Sequence, residues 1–212
     1  MNLWRFLAAQ VMPDAAILDI GAYHGEYSLA AREVNHKVSI YAFEPNPISL
    51  KMLRLACENK GIFLVGSAVA EKDGTVPFAL NQAQSRVISN QEADKQSISV
   101  SAVALDSWIL VNDVSPSLIK IDVEGAEASL LSGAIQVLEK YQPLIICEVL
   151  SNNAGEAVMG VLPREYCYFH IDENSGTLIE RSRITREQWR NHNWFLVPAD
   201  KKAQLRTAFP KL

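Results

Sequence analysis

Short apolar runs alternate with segments of helical periodicity along the first third of the chain. Runs at residues 17–20, 38–43 and 62–65 have the length and composition of buried parallel strands. Apolar side chains recur at helical spacing between these runs, over residues 26–32 and 47–57. A strand–helix–strand–helix–strand order is the half-unit of a doubly wound sheet. The pattern therefore predicts an α/β fold with a mostly parallel sheet.

The same alternation resumes in the second half of the chain. A strand at residues 117–122 and another at residues 143–149 flank a helix over residues 127–140. Two later strands are predicted at residues 166–171 and 194–197, where the periodicity is weaker. We therefore expect both halves of the chain to contribute strands to one sheet.

We predict a single domain over residues 1–212, because no linker, internal repeat or low-complexity tract divides the chain. An N-terminal helix lies within residues 1–14. Residues 66–106 break the α/β pattern with two alternating segments, which predict a β-hairpin insertion. The polar residues 81–97 between those segments have little pattern. A loop of this length is either a substrate lid or a disordered surface insertion.

Composition and charge are those of an ordinary globular protein. The 212 residues are 49% hydrophobic and 21% charged, and the formal net charge of −4 does not favour binding to nucleic acid. No run reaches the roughly 18 apolar residues of a membrane span, and the start of the chain is a poor signal peptide. The three cysteines lie far apart and are predicted to be reduced thiols. We therefore expect a cytoplasmic protein.

The first candidate for chemistry is the loop that follows the strand at residues 17–20. Asp19, Gly21 and Gly25 form the spacing Asp-x-Gly-x-x-x-Gly ahead of a predicted helix. The two glycines allow a tight turn and a close approach of the backbone to a ligand. The spacing differs from the Gly-x-Gly-x-x-Gly of dinucleotide-binding proteins, and Asp19 would repel a pyrophosphate. A ligand with an ammonium or sulfonium centre fits this loop better.

A second acid, Glu44, ends the next predicted strand. Ligands of open parallel sheets bind outside the carboxyl ends of the strands, where a carboxylate can accept hydrogen bonds from both hydroxyls of a ribose. The other interpretation is an acid that caps the helix after Pro45. The order of the glycine loop and Glu44 along the chain favours the interpretation that Glu44 binds a ribose. Together they suit an adenosyl ligand that carries no polyphosphate.

Three further acids, Asp122, Glu124 and Glu127, lie within six residues at the carboxyl end of another predicted strand. Glu127 begins a predicted helix, where an acid suits the helix dipole. A purely structural role explains the presence of Asp122 and Glu124 less well. Such carboxylates can orient a sulfonium-bearing amino acid, hold a substrate hydroxyl as a general base, or bind a divalent cation. We favour substrate or cofactor contact without a metal, with Glu127 on the substrate side.

Glu148 lies at the end of the predicted strand at residues 143–149, inside an apolar run. A carboxylate in this place either lies near the ligand pocket or pairs with a base. We predict that Glu148 is a substrate-binding residue, like Glu127.

These motifs occur in an order that resembles the FkbM-type family of S-adenosylmethionine-dependent class I methyltransferases. Residues 19–25 resemble the family's first glycine loop, and residues 42–47 resemble its Phe-Glu-Pro segment. Residues 119–127, Ile-Lys-Ile-Asp-Val-Glu-Gly-Ala-Glu, are the most specific block. The likeness spans about residues 15–198. The other segments that fit the family are residues 67–74, residues 105–108, Glu148 and residues 193–198.

The resemblance implies a Rossmann-like, doubly wound sheet of seven strands, mostly parallel, with an antiparallel last strand. It also implies that Gly21 and Gly25 bracket the methionine part of the cofactor and that Glu44 holds the ribose. By position, Ala68 would lie near the adenine and Asp122 would face the reacting centre.

Tyr23 stands where the family usually has Asn, and it is assigned to the cofactor together with Pro45 of the Phe-Glu-Pro segment. The predicted cofactor-binding residues are Asp19, Gly21, Tyr23, Gly25, Glu44, Pro45, Ala68 and Asp122.

The resulting prediction is an S-adenosylmethionine-dependent methyltransferase that methylates a hydroxyl on a small molecule, sugar or glycan. Asp122 is the first candidate to take the hydroxyl proton and Glu124 the second. One alternative is a nicotinamide-dependent oxidoreductase on a similar sheet, which the glycine spacing disfavours. The other is a non-catalytic module that keeps the fold for partner binding, which the retained acids Asp19, Glu44 and Asp122 disfavour.

Overall fold

The helices and strands follow the predicted α/β order through most of the chain. The computed structural model describes residues 2–80, 85–89, 91–93, 97–172, 175–186 and 192–203. The element bounds are α1 Asn2–Gln10, β1 Ala16–Ile20, α2 Glu26–Val34, β2 Ser39–Phe43, α3 Pro47–Ala56, β3 Ile62–Val65, β4 Ala68–Ala70, β5 Gly74–Ala79, β6 Arg86–Val87, β7 Ser97–Ala104, α4 Leu105–Asn112, β8 Pro116–Ile121, α5 Glu127–Ser132, α6 Ile135–Tyr141, β9 Leu144–Glu148, α7 Asn152–Val161, β10 Tyr166–Asp172, β11 Thr177–Arg181 and β12 Asn193–Pro198.

The large sheet has eight strands within the described residues, in the order β11-β10-β12-β9-β8-β1-β2-β3. The five strands from β9 to β3 are parallel to one another. β12 runs antiparallel to β9, and β10 and β11 continue the sheet by antiparallel pairing. The predicted Rossmann-like α/β fold is therefore confirmed. The sheet exceeds the predicted seven strands because the short, half-polar β11 pairs with the edge of β10.

Helices cover both faces of this sheet, because its central strands are apolar on both sides. On one face α1 and α2 pack over a cluster that includes Trp4, Ile17 and Leu118. On the other face Leu18 packs with Leu130 and other residues of α4 to α7. These helices hold the strands in place, and the carboxyl ends of the parallel strands lie along one edge of the sheet. None of the described helices combines the length and the apolar character that crossing a membrane requires.

The predicted hairpin insertion is part of a second, four-stranded sheet in the described residues, with the order β4-β7-β5-β6. β5 and β7 are antiparallel, with Val76 opposite Val100, and β4 adds a parallel edge. In the loop predicted at residues 81–97, residues 81–84, 90 and 94–96 lie outside the described part of the chain. The choice between a lid and a disordered insertion therefore stays a prediction.

The single helix predicted over residues 127–140 is wrong, because the chain breaks there into α5 and α6. A Cβ on Gly133 would lie 2.3 Å from the carbonyl oxygen of Ala70, so the chain at Gly133 packs directly against β4. The carboxylate of Asp106 then accepts hydrogen bonds from Gln136 N and Val137 N and caps α6. Two helices, α4 and α7, were not predicted.

Candidate functional site

A cavity of about 160 Å³ lies at the carboxyl ends of β1, β2 and β8. This is the edge at which open α/β sheets bind ligands. The predicted site residues that line the cavity are Gly21, Tyr23, Glu44, Pro45, Ala68, Asp122 and Glu124. Strand ends far apart in the sequence therefore meet at one place.

The glycine loop closes one wall of this cavity by packing on the end of β8. Gly21 has a φ of +78°, and a Cβ at this position would lie 1.8 Å from the carbonyl oxygen of Asp122. Gly25 has a φ of +88° and precedes α2 as its N-cap residue. Both positions need a left-handed backbone, which glycine adopts at little cost. The backbone of Gly21 therefore packs directly against the backbone of Asp122.

We expect Gly21→Ala to destabilise the protein, because the added methyl group collides with backbone rather than with a movable side chain. The loss should be about 2 kcal/mol or more, with a fall in Tm of roughly 5 °C. Gly160→Ala is the matched control, since a Cβ there, within α7, meets nothing within 4 Å. Thermal unfolding of both variants tests this, and an equal Tm for the two would contradict the packing argument.

Asp19 lies behind the loop, fully buried, rather than in the wall of the cavity. Its Oδ2 accepts hydrogen bonds from Ser28 N at 3.0 Å and from Ser28 Oγ at 2.6 Å. The carboxylate thus caps the first turn of α2 and holds the loop in place. A direct contact of Asp19 with the cofactor stays a prediction.

The side chain of Lys120 contacts both the glycine loop and Asp122. Its Nζ donates to the carbonyl oxygen of Gly21 at 2.9 Å and lies 3.2 Å from Asp122 Oδ2 and 3.7 Å from Asp19 Oδ1. The residue is only 6% exposed. Burial would lower the pKa of Lys120, but the carboxylates of Asp19 and Asp122 outweigh burial and raise it. An ammonium group therefore links the glycine loop to the acid at the end of β8.

Glu44 presents its carboxylate to the cavity with both oxygens held by backbone amides. Oε2 accepts from Tyr23 N and Oε1 accepts from Asn46 N, each at 2.8 Å. Burial raises the pKa of Glu44, while these two amides oppose the rise. Each oxygen keeps a further lone pair for a ligand hydroxyl. The geometry is suited to a pair of vicinal hydroxyl groups.

Asp122, Glu124 and Glu148 form an acidic cluster opposite Glu44, with one oxygen of each lying within 4.8 Å of the others. Glu124 has a φ of +54°, an uncommon backbone conformation for a residue with a side chain. Burial, and then the charge of Asp122, raise the pKa of Glu124. Glu148 lies on β9, outside the cavity that Glu44 lines. Burial, together with Asp122 beside it, raises the pKa of Glu148 to about 8.

This cluster is the one group in the described part of the chain with three carboxylates close enough to share a divalent cation. Carboxylates at this separation equally accommodate a shared proton. Our interpretation without a metal stays a prediction.

Glu127 points away from the cavity, into the turn before α5. Its side chain is 1% exposed, and Oε1 accepts a hydrogen bond from Gly125 N at 2.8 Å. This contact stabilises the turn that carries Glu124. The predicted role of Glu127 in substrate binding stays a prediction.

Sequence reasoning missed part of the wall that the small sheet contributes. Phe78, Arg86 and Val87 of β5 and β6 line the cavity beside Ala68. Asn46 also lines the cavity, and its Nδ2 donates to Ser85 Oγ at 3.2 Å. Asn46 carries a recognisable signal, because it stands as N-cap residue before Pro47.

Residues 19–173 match the family described as Methyltransferase FkbM domain, and the match covers well over half of the chain. The chain belongs to this family. The resemblance inferred from the sequence motifs is therefore confirmed. Membership favours the methyltransferase interpretation over both alternatives considered from the sequence.

The chain is also similar to individual methyltransferases. It is 27% identical over 150 residues to the 2-O-methyltransferase NoeI of Sinorhizobium fredii (strain NBRC 101917 / NGR234), an alignment that covers 60% of each chain. The structure of methyltransferase FkbM from Methylobacillus flagellatus KT aligns with a TM-score of 0.56 at 17% identity, over 91% of this chain and 47% of that one.

A SAM-dependent O-methyltransferase from Thermotoga maritima aligns with a TM-score of 0.53 at 10% identity, over 93% of this chain and 64% of that one. The chain thus spans between about half and two thirds of the length of these three relatives. At these identities the two structural matches support the fold.

Proposed function

We propose that the protein transfers a methyl group from S-adenosylmethionine to a hydroxyl oxygen of a small molecule or sugar. The observation that carries the proposal is the carboxylate of Glu44, held by two amides and facing Asp122 across a cavity at the strand ends. Family membership supports the reaction class, and similarity to a 2-O-methyltransferase supports a hydroxyl acceptor.

The residues of the cavity fit S-adenosylmethionine better than a polyphosphate cofactor. Three acids, Glu44, Asp122 and Glu124, line it against the single base Arg86 among the described lining residues. Phosphate groups would be repelled there, whereas a sulfonium or ammonium group would be attracted.

Each residue of the site has a proposed role in holding the cofactor. Glu44 would accept the two ribose hydroxyls, and Ala68 would lie against the adenine. Gly21 and Gly25 would bracket the methionine part, with Tyr23 beside them. Pro45 would support the ribose from the loop after β2, and Asp19 would act by holding the glycine loop.

Asp122 is the proposed proton acceptor, because it lies in the cavity wall at the junction with the rest of the acidic cluster. When bound, S-adenosylmethionine supplies a methyl group on a sulfonium sulfur that keeps the bonding electron pair after transfer. The acceptor oxygen gains the methyl group, and its proton passes to Asp122. Glu124 is the second candidate for this proton. Glu148 would contact the acceptor, and Glu127 would support substrate binding by holding the turn that carries Glu124.

Calorimetric titration tests the cofactor assignment. We expect S-adenosylhomocysteine to bind and NAD⁺ not to bind. Glu44→Gln should weaken S-adenosylhomocysteine about 10- to 100-fold, since a hydrogen bond to a charged group contributes about 1.5–3 kcal/mol. Glu58→Gln, at an exposed position away from the cavity, is the control. Binding of NAD⁺ but not of S-adenosylhomocysteine would favour the alternative of a nicotinamide-dependent oxidoreductase. Binding of neither ligand would favour a non-catalytic module.

A further inference from the structure

A second, larger cavity lies on the face of the sheet that α1 and α2 cover. Its volume is about 630 Å³. It is bounded by α1, by Glu26 and Tyr27 at the start of α2, and by residues of β9 to β12 such as Ile146 and Asn193. This space has the size of a small-molecule site.

Strand pairing places two residues of this cavity next to Glu148 and Lys120. Asn193, in its wall, pairs with Glu148 across β12 and β9, and Ile146 pairs with Lys120 across β9 and β8. Side chains of directly paired residues lie on the same face of a sheet. The carboxylate of Asp122 is close to Lys120, with its Oδ2 3.2 Å from Lys120 Nζ. Asp122 lines the cavity that Glu44 also lines, and Lys120 connects Asp122 to Tyr27 in the wall of the second cavity.

The start of α2 lies in the wall of this cavity and next to Lys120. The Tyr27 ring lies 4.9 Å from Lys120 Nζ, below the glycine loop. Trp4 Nε1 donates to the carbonyl oxygen of Tyr27 at 2.8 Å, and the two rings meet edge to face at 5.5 Å. These contacts fix α1 against α2 and give the cavity a rigid aromatic side.

The walls combine a large apolar area with a few polar groups. Leu3, Phe6, Ile171 and Leu178 contribute apolar surface, while Glu26 and Asn193 are polar. Lys, Arg and His are absent from the described residues that line the cavity. A phosphorylated compound would find no cation there and would face Glu26, with Glu148 nearby.

We propose that this cavity holds the methyl acceptor, and that the acceptor is an uncharged hydroxyl compound with an apolar or aromatic portion, such as a neutral aryl glycoside. The inference rests on the proposed methyl transfer, because it places the acceptor hydroxyl beside Asp122. The apolar portion lies against α1 and β11, and the hydroxyl points toward Glu148 and Asp122.

Two neighbouring residues of β11 provide matched variants. Leu178 lines the cavity opposite Ile171. Ile179 is also half-buried but points to the other face of the sheet. Leu178→Trp should fill the cavity, and Ile179→Trp should leave it open. Leu3→Trp fills the cavity from α1 and serves if Leu178→Trp does not fold.

The experiment is saturation-transfer NMR on the full chain with 4-nitrophenyl β-D-glucopyranoside, compared with 4-nitrophenyl phosphate. We expect a signal from the glucoside only, reduced roughly 10-fold by a cavity-filling variant and unchanged in Ile179→Trp, as a change of about 1.4 kcal/mol in binding would give. The affinity for S-adenosylhomocysteine should be the same in all the variants.

The inference is overturned if the glucoside gives no signal, if the phosphate binds as well as the glucoside, or if both folded filling variants keep the wild-type signal. If the glucoside behaves as expected while wild-type protein fails to bind S-adenosylhomocysteine, the proposed methyl transfer fails and the cavity remains a site for neutral compounds. The two failures are thereby distinguished.

Discussion

Asp122→Asn is expected to lose nearly all turnover while it remains folded and binds S-adenosylhomocysteine. The substitution keeps the size of the side chain and an oxygen that Lys120 Nζ can reach, but removes the negative charge that accepts the proton. Positioned general bases contribute about 10²- to 10⁴-fold to rates. The measurement is the initial rate of S-adenosylhomocysteine formation with a hydroxyl compound that the wild type methylates.

Asp106→Asn is the structural control for this variant. Asp106 holds the amides of Gln136 and Val137 at the start of α6 and lies outside both cavities. Its replacement should lower the Tm with little change in kcat, since Asn can accept only one of the two amide hydrogen bonds and a lost hydrogen bond costs about 1 kcal/mol. Glu124→Gln should reduce the rate less than Asp122→Asn. Full activity in Asp122→Asn would transfer the role of proton acceptor to another group.

The half of the site made by strand ends could be predicted from the sequence, because topology dictates where strand ends meet. Gly21, Glu44 and Asp122 each come directly after a short apolar run. Parallel pairing of β2, β1 and β8 brings the ends of those runs together. The spacing of Asp19 to Gly25 then distinguishes the loop from a pyrophosphate-binding loop.

The direction of each side chain could not be predicted from the same pattern. Asp19 lies within β1 and Glu127 begins α5, so both are close in sequence to strand ends, as Asp122 is. Both side chains are nevertheless buried, and they accept hydrogen bonds from Ser28 and from Gly125 N. Those partners are local amides and a hydroxyl, which any loop offers. Only the folded loop determines whether a carboxylate caps a turn or faces a ligand.

Contacts between distant segments explain the elements that sequence patterns miss. α6 begins after Gly133 because the chain there packs against Ala70 and because Asp106 caps the new helix, and neither residue is near in sequence. Arg86 reaches the site only because β6 pairs with β5 in the small sheet. By contrast, α7 carries a local signal, since Ser151 Oγ accepts a hydrogen bond from Ala154 N as an N-cap.

S-adenosylmethionine should bind more tightly as the pH rises toward about 8 and then level off, whereas S-adenosylhomocysteine should bind with little change. Burial and Asp122 raise the pKa of Glu148 to about 8, so below that pH Glu148 is protonated in the free protein. A sulfonium cation beside Asp122 favours the ionised form of Glu148 and lowers its pKa. Binding therefore releases a proton, and the affinity rises with pH.

The size of the effect follows from the shift in the pKa of Glu148. A fall of about two units would strengthen binding up to about 100-fold between about pH 6 and about pH 9, since each unit corresponds to about 1.4 kcal/mol. S-adenosylhomocysteine lacks the methyl group and its positive charge, so it is the matched ligand. Titrations near neutral pH in two buffers of different ionisation enthalpy should show about one proton released with the sulfonium ligand only.

Glu148→Gln separates this linkage from other titrations, because it keeps the side-chain shape on β9 and cannot ionise. In that variant both ligands should show the same weak dependence on pH. Equal pH dependence of the two ligands in the wild type would contradict the argument and would place the sulfonium away from the cluster of Asp122, Glu124 and Glu148. A difference that survives in Glu148→Gln would instead assign the proton to Glu124, whose pKa is also raised by burial and by Asp122.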